Sequence, residues 1–250
     1  MADLNDLTGR VALISGAGRA KGQGAAEGRL FSAHGATVIL ADVLDEEGEQ
    51  TAGGIERAEY AHLDVTSESE WDAVVADIIA RHGRLDILIN NAGVAPMGRI
   101  VNAGLDVWNH TIEVNQTGVF LGMRAGGRAM IAAGNGGSIV NISSINGLEG
   151  MFGAVAYTAS KWAVRGMTKV VAKEFGKHQI RVNSIHPGFI ATDMLTENFD
   201  DDELARVGEA LPLGRIGTAE DIANTALYLV GEASTWVTGQ EFVVDGGHYG

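Results

Sequence analysis

Tyr157 and Lys161 stand four residues apart in the run Tyr157-Thr158-Ala159-Ser160-Lys161. On a helix that spacing puts both side chains on one face, so a phenol and an ammonium become neighbours. Free tyrosine ionises near pH ~10, too high for a general base at neutral pH, and an adjacent cation lowers that value by favouring phenolate. The two are therefore a candidate proton-transfer unit. Alone, such a spacing arises by chance in roughly one chain of a dozen, and Lys161 could equally be a surface lysine beside an unrelated aromatic.

Two further positions gain meaning beside that pair. Ser143-Ser144 follows a short apolar run at 138–142. A hydroxyl at such a strand end can donate to a carbonyl oxygen and stabilise developing charge, although a lone serine there is more often a turn residue. Asn115 lies inside a helical stretch at 105–133. Asparagine is a poor helix former, so at an interior position it serves a specific hydrogen bond or is a satisfied core amide.

A third constellation is rich in glycine: Ser15-Gly16-Ala17-Gly18-Arg19-Ala20-Lys21-Gly22-Gln23-Gly24 follows the apolar run 11–15 and precedes a small-residue helix at 24–33. Backbone N–H groups at a helix N-terminus attract anions, and glycine lets a pyrophosphate approach them closely. The strand before and the helix after turn a glycine cluster into a dinucleotide site. Asp42 closes the second strand, at 37–41, where such folds set an acid against the adenosine ribose. Its charge repels a ribose 2′-phosphate, so NAD is favoured over NADP; Arg19 and Lys21 are the residues that weigh the other way. Asp64 and Asn90-Asn91-Ala92-Gly93 end the third and fourth strands and suit adenine or ribose contacts.

The elements that must position these groups alternate along the chain. Short apolar runs at 11–15, 37–41, 60–63, 87–90, 138–142, 181–186 and 241–244 are bounded by turn residues, as buried parallel strands are. Helical stretches at 67–82, 105–133, 156–175 and 218–229 lie between them, the first opened by Ser67 and Glu70 at capping-box spacing. Strands joined by crossover helices predict right-handed βαβ units. The expected fold is a single-domain doubly wound (Rossmann) α/β structure over residues 1–250, a seven-stranded parallel sheet with helices on both faces. The stretch 191–217 has no matching strand and reads as a substrate loop, or as a plain surface loop.

Composition narrows the partners. A formal charge of −14 repels nucleic acid, anionic membranes and acidic carrier proteins. No cysteine is present, so neither a disulfide framework nor a thiolate metal site is expected, and a reducing compartment suits the chain. Residues 1–10 are polar and acidic, unlike a secretory signal. No apolar run reaches the ~18 residues that cross a bilayer, so no membrane association and a cytoplasmic location are expected.

In this order the Gly16 to Gly24 loop, Asn90-Asn91-Ala92-Gly93, Asn115, Ser144, Tyr157-x-x-x-Lys161 and Pro187-Gly188 resemble the short-chain dehydrogenase/reductase family over nearly the whole chain. The segments 41–48, 62–66 and 137–144 are most similar to bacterial 3α,20β-hydroxysteroid dehydrogenases. The resemblance implies that Tyr157 exchanges a proton with the substrate oxygen, that Lys161 tunes it and binds the nicotinamide ribose, and that Ser144, not Ser143, polarises the carbonyl. It implies that Asn115 holds a water linking Lys161 to solvent. Phosphate and adenosine contacts would come from Gly16, Lys21, Gly22, Gln23 and Gly24, then from Asp42, Asp64 and Val65, and from Asn91, Ala92 and Gly93. Pro187, Gly188, Ile190 and Thr192 would hold the carboxamide. No metal is implied, and a homotetramer built on the 105–133 and 156–175 helices is.

One departure stands out. The family loop reads Thr-Gly-x-x-x-Gly-x-Gly, whereas here Ser15 replaces Thr, and Ala17 to Lys21 separate Gly16 from Gly22. The two extra residues are expected to bulge outward. The expected substrate wall, residues 145–155 with Phe189, Met194, Leu195 and Phe199, is mostly apolar and suits a hydrophobic secondary alcohol or ketone, steroid or cyclic. Glu149 is its odd member, either selecting a polar substituent or simply exposed. Two other activities compete: a 3-oxoacyl-carrier-protein reductase, against which Asp42 and the charge argue, and a non-catalytic dinucleotide-binding regulator, which would need no acid/base pair.

Overall fold

The computed structural model describes residues 4–196 and 199–249. In chain order the elements are β1 (Val11–Ser15), α1 (Gln23–Ala33), β2 (Thr37–Asp42), α2 (Asp45–Gly53), β3 (Ala58–His62), α3 (Glu68–His82) and β4 (Ile87–Asn90). They continue with α4 (Leu105–Ile112), α5 (Gly118–Ala133), β5 (Gly137–Ile142), α6 (Val155–Phe175) and β6 (Ile180–Pro187). The chain closes through α7 (Asp193–Thr196), α8 (Asp201–Ala210), α9 (Ala219–Val230) and β7 (Glu241–Val244).

The strands form one parallel sheet in the order β3-β2-β1-β4-β5-β6-β7. Because β1 is flanked by β2 and β4, the chain reverses its direction of winding there, and a crevice opens beyond the C-terminal ends of β1 and β4, at Ser15 and Asn90. Every residue of β1 is buried, as a central parallel strand requires, yet alternate side chains serve opposite cores. Ala12 and Ile14 join Phe31, Ile222 and Ala226 of α1 and α9. Val11 and Leu13 join Trp71, Val75, Val119 and Val164 of α3, α5 and α6. Period-2 geometry thus covers the sheet with helices on both faces.

Two expectations change. The helix read at 105–133 is helical throughout, but residues 113–117 form a π turn between α4 and α5, with Asn115 buried inside it. The stretch read as a loop at 191–217 carries α7 and α8, and α8 opens with a capping box between Asp200 and Glu203. Its base is closed like a short ladder: Gly217 N–H donates to Phe189 O at 2.8 Å and Ala191 N–H to Gly217 O at 2.9 Å. At α3 the spacing of a capping box is only half used. Ser67 accepts from the Glu70 N–H, while the Glu70 carboxylate accepts from Asp64 N–H instead of turning back to its own cap.

Candidate active site

The cradle at the end of β1 depends on missing side chains. Gly16 has φ 65°, and a Cβ there would lie 2.5 Å from Ala92 Cα, so the loop after β4 can approach only a glycine. A Cβ on Gly24 would meet Ala17 and Asn91 at 2.9 Å. Asn91 ties the two loops together, its Nδ2 donating to Ser15 O at 3.0 Å and Gly16 O at 2.8 Å. Gly22 is the N-cap of α1 and offers no side chain, so the first-turn N–H groups at Gln23 and Gly24 meet no side-chain cap. A glycine-lined helix N-terminus of this kind fits a pyrophosphate.

The longer loop divides into two parts. Gly18 turns inward: its N–H donates to Asp42 Oδ2 at 2.8 Å and its carbonyl accepts from Thr51 Oγ1 at 2.6 Å. Arg19, Ala20 and Lys21 are exposed and form the outward bulge. Arg19 reaches Asp193 at 3.6 Å, so this bulge touches the start of α7, and a pocket of about 410 Å³ lies between them and Thr51. Asp42 also accepts from Val43 and Leu44 N–H through Oδ1, which fixes its carboxylate at the crevice edge. Asp64 Oδ1 accepts from both Thr66 N–H and Thr66 Oγ1, and Val65 is buried against Gly118.

Four candidate groups converge beyond β4 and β5. A Cβ on Gly93 would lie 3.3 Å from Asn115 Oδ1 and 3.5 Å from Lys161 Nζ, so both side chains face that glycine. Asn115 clamps the next residue, accepting from Val94 N–H and donating to Val94 O, each at 2.8 Å, and reaches Ser160 Oγ at 3.2 Å. Its amide is therefore fully committed, which explains a poor helix former at an interior position. Lys161 is buried, donates to Ile142 O at 2.8 Å and sits 5.5 Å from the centre of the Tyr157 ring. Burial lowers its pKa to about 8.

Tyr157 behaves differently from the expectation drawn from spacing. Burial raises its pKa, and only an interaction with the Ser144 side chain opposes that rise. The Lys161 ammonium donates to the Ile142 carbonyl while standing 5.5 Å from the ring centre. The two serines make different contacts. Ser143 Oγ donates to Lys161 O at 3.0 Å and is tied to the α6 backbone, whereas Ser144 Oγ accepts from Asn146 N–H at 3.1 Å and meets Tyr157.

The remaining candidates line the same edge. Pro187 ends β6, Gly188 packs so closely on Asp245 that a Cβ would lie 2.6 Å from it, Ile190 is buried, and Thr192 N–H donates to Ile190 O. Of the expected wall, Phe189 stacks edge-on with Phe199 at 6.4 Å. Glu149 is half exposed and pairs with His248 at 3.4 Å, while His248 packs edge-on to Phe189. Sequence reading missed His248, which no motif marks, and His186, whose signal is its place directly before Pro187-Gly188. Among the described residues no group of His, Cys, Asp or Glu could hold a metal, and no helix is long and apolar enough to cross a membrane.

The chain is similar to known proteins over nearly its whole length. The short-chain dehydrogenase model described as "Enoyl-(Acyl carrier protein) reductase" matches residues 16–249. A trans-4-hydroxycyclohexanecarboxylate dehydrogenase of Sinomonas cyclohexanicum is 43% identical, over 95% of this chain and 92% of its own. A 3-alpha-(or 20-beta)-hydroxysteroid dehydrogenase of Mycobacterium bovis is 46% identical, over 96% of this chain and 90% of its own. Among solved structures, a short-chain type dehydrogenase/reductase from Mycobacterium marinum superposes with a TM-score of 0.89 at 32% identity, covering 99% of both chains. With a glycine cradle at the switch point, a Ser-Tyr-Lys cluster beside it and these relatives, the chain belongs to the short-chain dehydrogenase/reductase family and is an oxidoreductase that uses a nicotinamide dinucleotide.

Proposed function

We propose that the protein is an NAD-dependent secondary-alcohol dehydrogenase and ketone reductase whose substrate is a hydrophobic ring compound, a cyclic alcohol or a hydroxysteroid. The observation that carries this reading is the convergence of Ser144, Tyr157 and Lys161 next to the glycine cradle that Asp42 closes. The relatives named above act on ring alcohols, and Phe189 and Phe199 supply an apolar wall for such a ring.

A nicotinamide dinucleotide held at the cradle would supply the hydride chemistry at the carbinol or carbonyl carbon. The protein handles the proton. In oxidation Tyr157 takes the hydroxyl proton, and in reduction it gives that proton to the carbonyl oxygen. Ser144 donates to the same oxygen and stabilises its developing charge. Lys161 brings a cation to the phenol and to the nicotinamide ribose, and its ammonium has only to leave Ile142 O to do so. Asn115, whose amide is tied to Val94 and Ser160, would hold the water that links Lys161 to solvent. Gly16, Gly22, Gln23, Gly24 and Lys21 serve the phosphates; Asp42, Asp64 and Val65 serve the adenosine; Asn91, Ala92 and Gly93 form the floor; Pro187, Gly188, Ile190 and Thr192 serve the carboxamide.

The chain works as one unit over 1–250, with 191–217 as its substrate loop, in a cytoplasmic homotetramer. NAD is preferred over NADP because the Asp42 carboxylate, held by Gly18, Val43 and Leu44 N–H, would repel a ribose 2′-phosphate at the cradle. The fit to a 3-oxoacyl-carrier-protein reductase is poorer, since a −14 chain repels an acidic carrier. The test is NADH absorbance with NAD+ and cyclohexanol, trans-4-hydroxycyclohexanecarboxylate or a 3α-hydroxysteroid, repeated with NADP+. Turnover is expected with NAD+ on at least one ring alcohol, and Tyr157→Phe should bind NADH but lose about a thousandfold in kcat. Full turnover by Tyr157→Phe would overturn the chemistry.

A further inference from the structure

Ser144 lies just past the point where strand pairing ends. The β5–β6 ladder closes at Ile142 and Ile185, with one further bond from Ser143 N–H to Ile185 O at 2.8 Å. Pro187, the last residue of β6, has no N–H with which to extend it. At this edge the Ser144 carbonyl accepts from Gly147 N–H at 2.8 Å within its own turn, and a side chain adds a second donor from β6. His186 is fully buried, and its Nδ1 lies 2.9 Å from the Ser144 carbonyl oxygen while its Nε2 lies 2.9 Å from Ser184 Oγ.

Those two contacts determine where the ring proton sits. A carbonyl oxygen can only accept, so Nδ1 carries the hydrogen. Nε2 is then a bare acceptor, and the Ser184 hydroxyl donates to it. Ser184 is itself fully buried, which leaves its hydroxyl this one role beside the ring. Burial lowers the His186 pKa, in keeping with a ring that stays neutral.

The consequence falls on Ser144. Its hydroxyl is held by Asn146 N–H and its carbonyl by Gly147 N–H, both from the following turn, while the His186 ring ties that carbonyl to β6. Fixing both ends of one extended residue, at φ −170° and ψ 161°, leaves the side chain little freedom to swing away from Tyr157. Catalytic hydroxyls must be held to within about 0.5 Å of the productive position, which a residue outside the ladder does not achieve by strand pairing.

We propose that His186 is a positioning residue for the reaction, its Nδ1–H holding the Ser144 carbonyl so that the Ser144 hydroxyl stays aimed at the substrate oxygen, with Ser184 fixing the ring tautomer. This rests on the role given to Ser144 in the proposed function. It makes Ser184-His186-Ser144 a supporting chain behind the reacting groups, touching neither substrate nor cofactor.

The test compares His186→Leu, His186→Asn and Ser144→Ala, with NAD+ and whichever ring alcohol the unaltered enzyme oxidises fastest. Asparagine places an amide N–H near the position of Nδ1 and keeps the donor; leucine removes it. His186→Leu should lower kcat by at least about tenfold with the NAD+ KM within about twofold, and His186→Asn should recover most of the loss. If folded His186→Leu keeps its kcat while Ser144→Ala loses it, the positioning role fails alone. Equal losses in the two His186 variants would also overturn it, since packing and not the hydrogen bond would then matter. If Ser144→Ala keeps full activity, the proposed reaction itself is wrong. Should His186→Leu fail to fold, ring 15N shifts of the unaltered protein decide: a neutral Nδ1–H tautomer supports the proposal and an Nε2–H tautomer overturns it.

Discussion

The Lys161 ammonium donates to the main-chain carbonyl of Ile142, the last residue of β5, at 2.8 Å. The Tyr157 ring centre lies 5.5 Å from it, Asn115 and Lys161 both face Gly93, and burial lowers the Lys161 pKa. Holding a cation there is costly for folding. A fall from 10.5 to about 8 corresponds to about 3 kcal/mol, partly offset by the one hydrogen bond, worth about 1 kcal/mol.

Lys161→Met is therefore expected to abolish turnover and yet raise stability. Without cofactor at pH 7, its melting temperature should exceed that of the unaltered protein by about 5 °C, the scale of about 2 kcal/mol in a domain of this size. Calorimetry of the two proteins checks it. A lower melting temperature would mean that the Ile142 bond outweighs the desolvation of the ammonium.

Why some of this was legible in advance can be traced to particular residues. β1 and the loop after it were readable because burial on both faces demands an unbroken apolar run and the turn demands glycine. Tyr157 and Lys161 were readable because a helix converts spacing into adjacency. The pKa direction at Tyr157 was not, since it comes from burial of the phenol, which only the packed chain creates. The π turn at 113–117 was also hidden: Asn115 marks a weak point in the helix without saying how it bends, and its clamp on Val94 is 21 residues away. His186 likewise acts through a partner 42 residues earlier in the chain.

Asp42 should govern cofactor choice. Its carboxylate is held in place by Gly18, Val43 and Leu44 N–H groups, which leaves it fixed at the crevice edge where a 2′-phosphate would arrive. Replacing Asp42 by alanine removes that repulsion and leaves Arg19 and Lys21 nearby on the bulge. The ratio of kcat/KM for NAD+ to that for NADP+ is expected to fall by about thirtyfold or more, some 2 kcal/mol of discrimination. An unchanged ratio, measured by NAD(P)H absorbance, would remove Asp42 from the cofactor site.

Glu27 makes stability depend on pH. It lies fully buried in α1, neither carboxylate oxygen has a hydrogen-bond partner among the described residues, and burial raises its pKa from 4.5 to about 8. Between those values the native chain keeps a proton that the unfolded chain releases, so the native state binds more protons and stability falls as pH rises. The contribution is complete below about 4.5 and lost above about 8, up to about 5 kcal/mol in all. Glu27→Gln cannot ionise. Its urea midpoint should move ahead of the unaltered protein as pH climbs from 5.5 to 8, then hold a constant lead; a lead that does not grow with pH would show that Glu27 is charged or hydrated.

Trp162 of α6 and Phe120 of α5 leave about half of their surface exposed, at 49% and 46%, each beneath an arginine guanidinium, and Val170 is bare at 55% on the same helix as Trp162. Large aromatics in this state are what a helix-to-helix interface buries at its centre. A second copy presenting the same α5 and α6 faces would cover them around a twofold axis, and a tetramer repeats that pairing through a further axis. Light scattering should find four copies of the 26.2 kDa chain, and Trp162→Glu should shift the protein to a smaller species while leaving the Tyr157 and Lys161 side of α6 in place. Burying a glutamate against an apolar partner costs several kcal/mol, enough to split such an interface. If Trp162→Glu remains the size of the unaltered protein, the α5 and α6 faces are not where the copies meet.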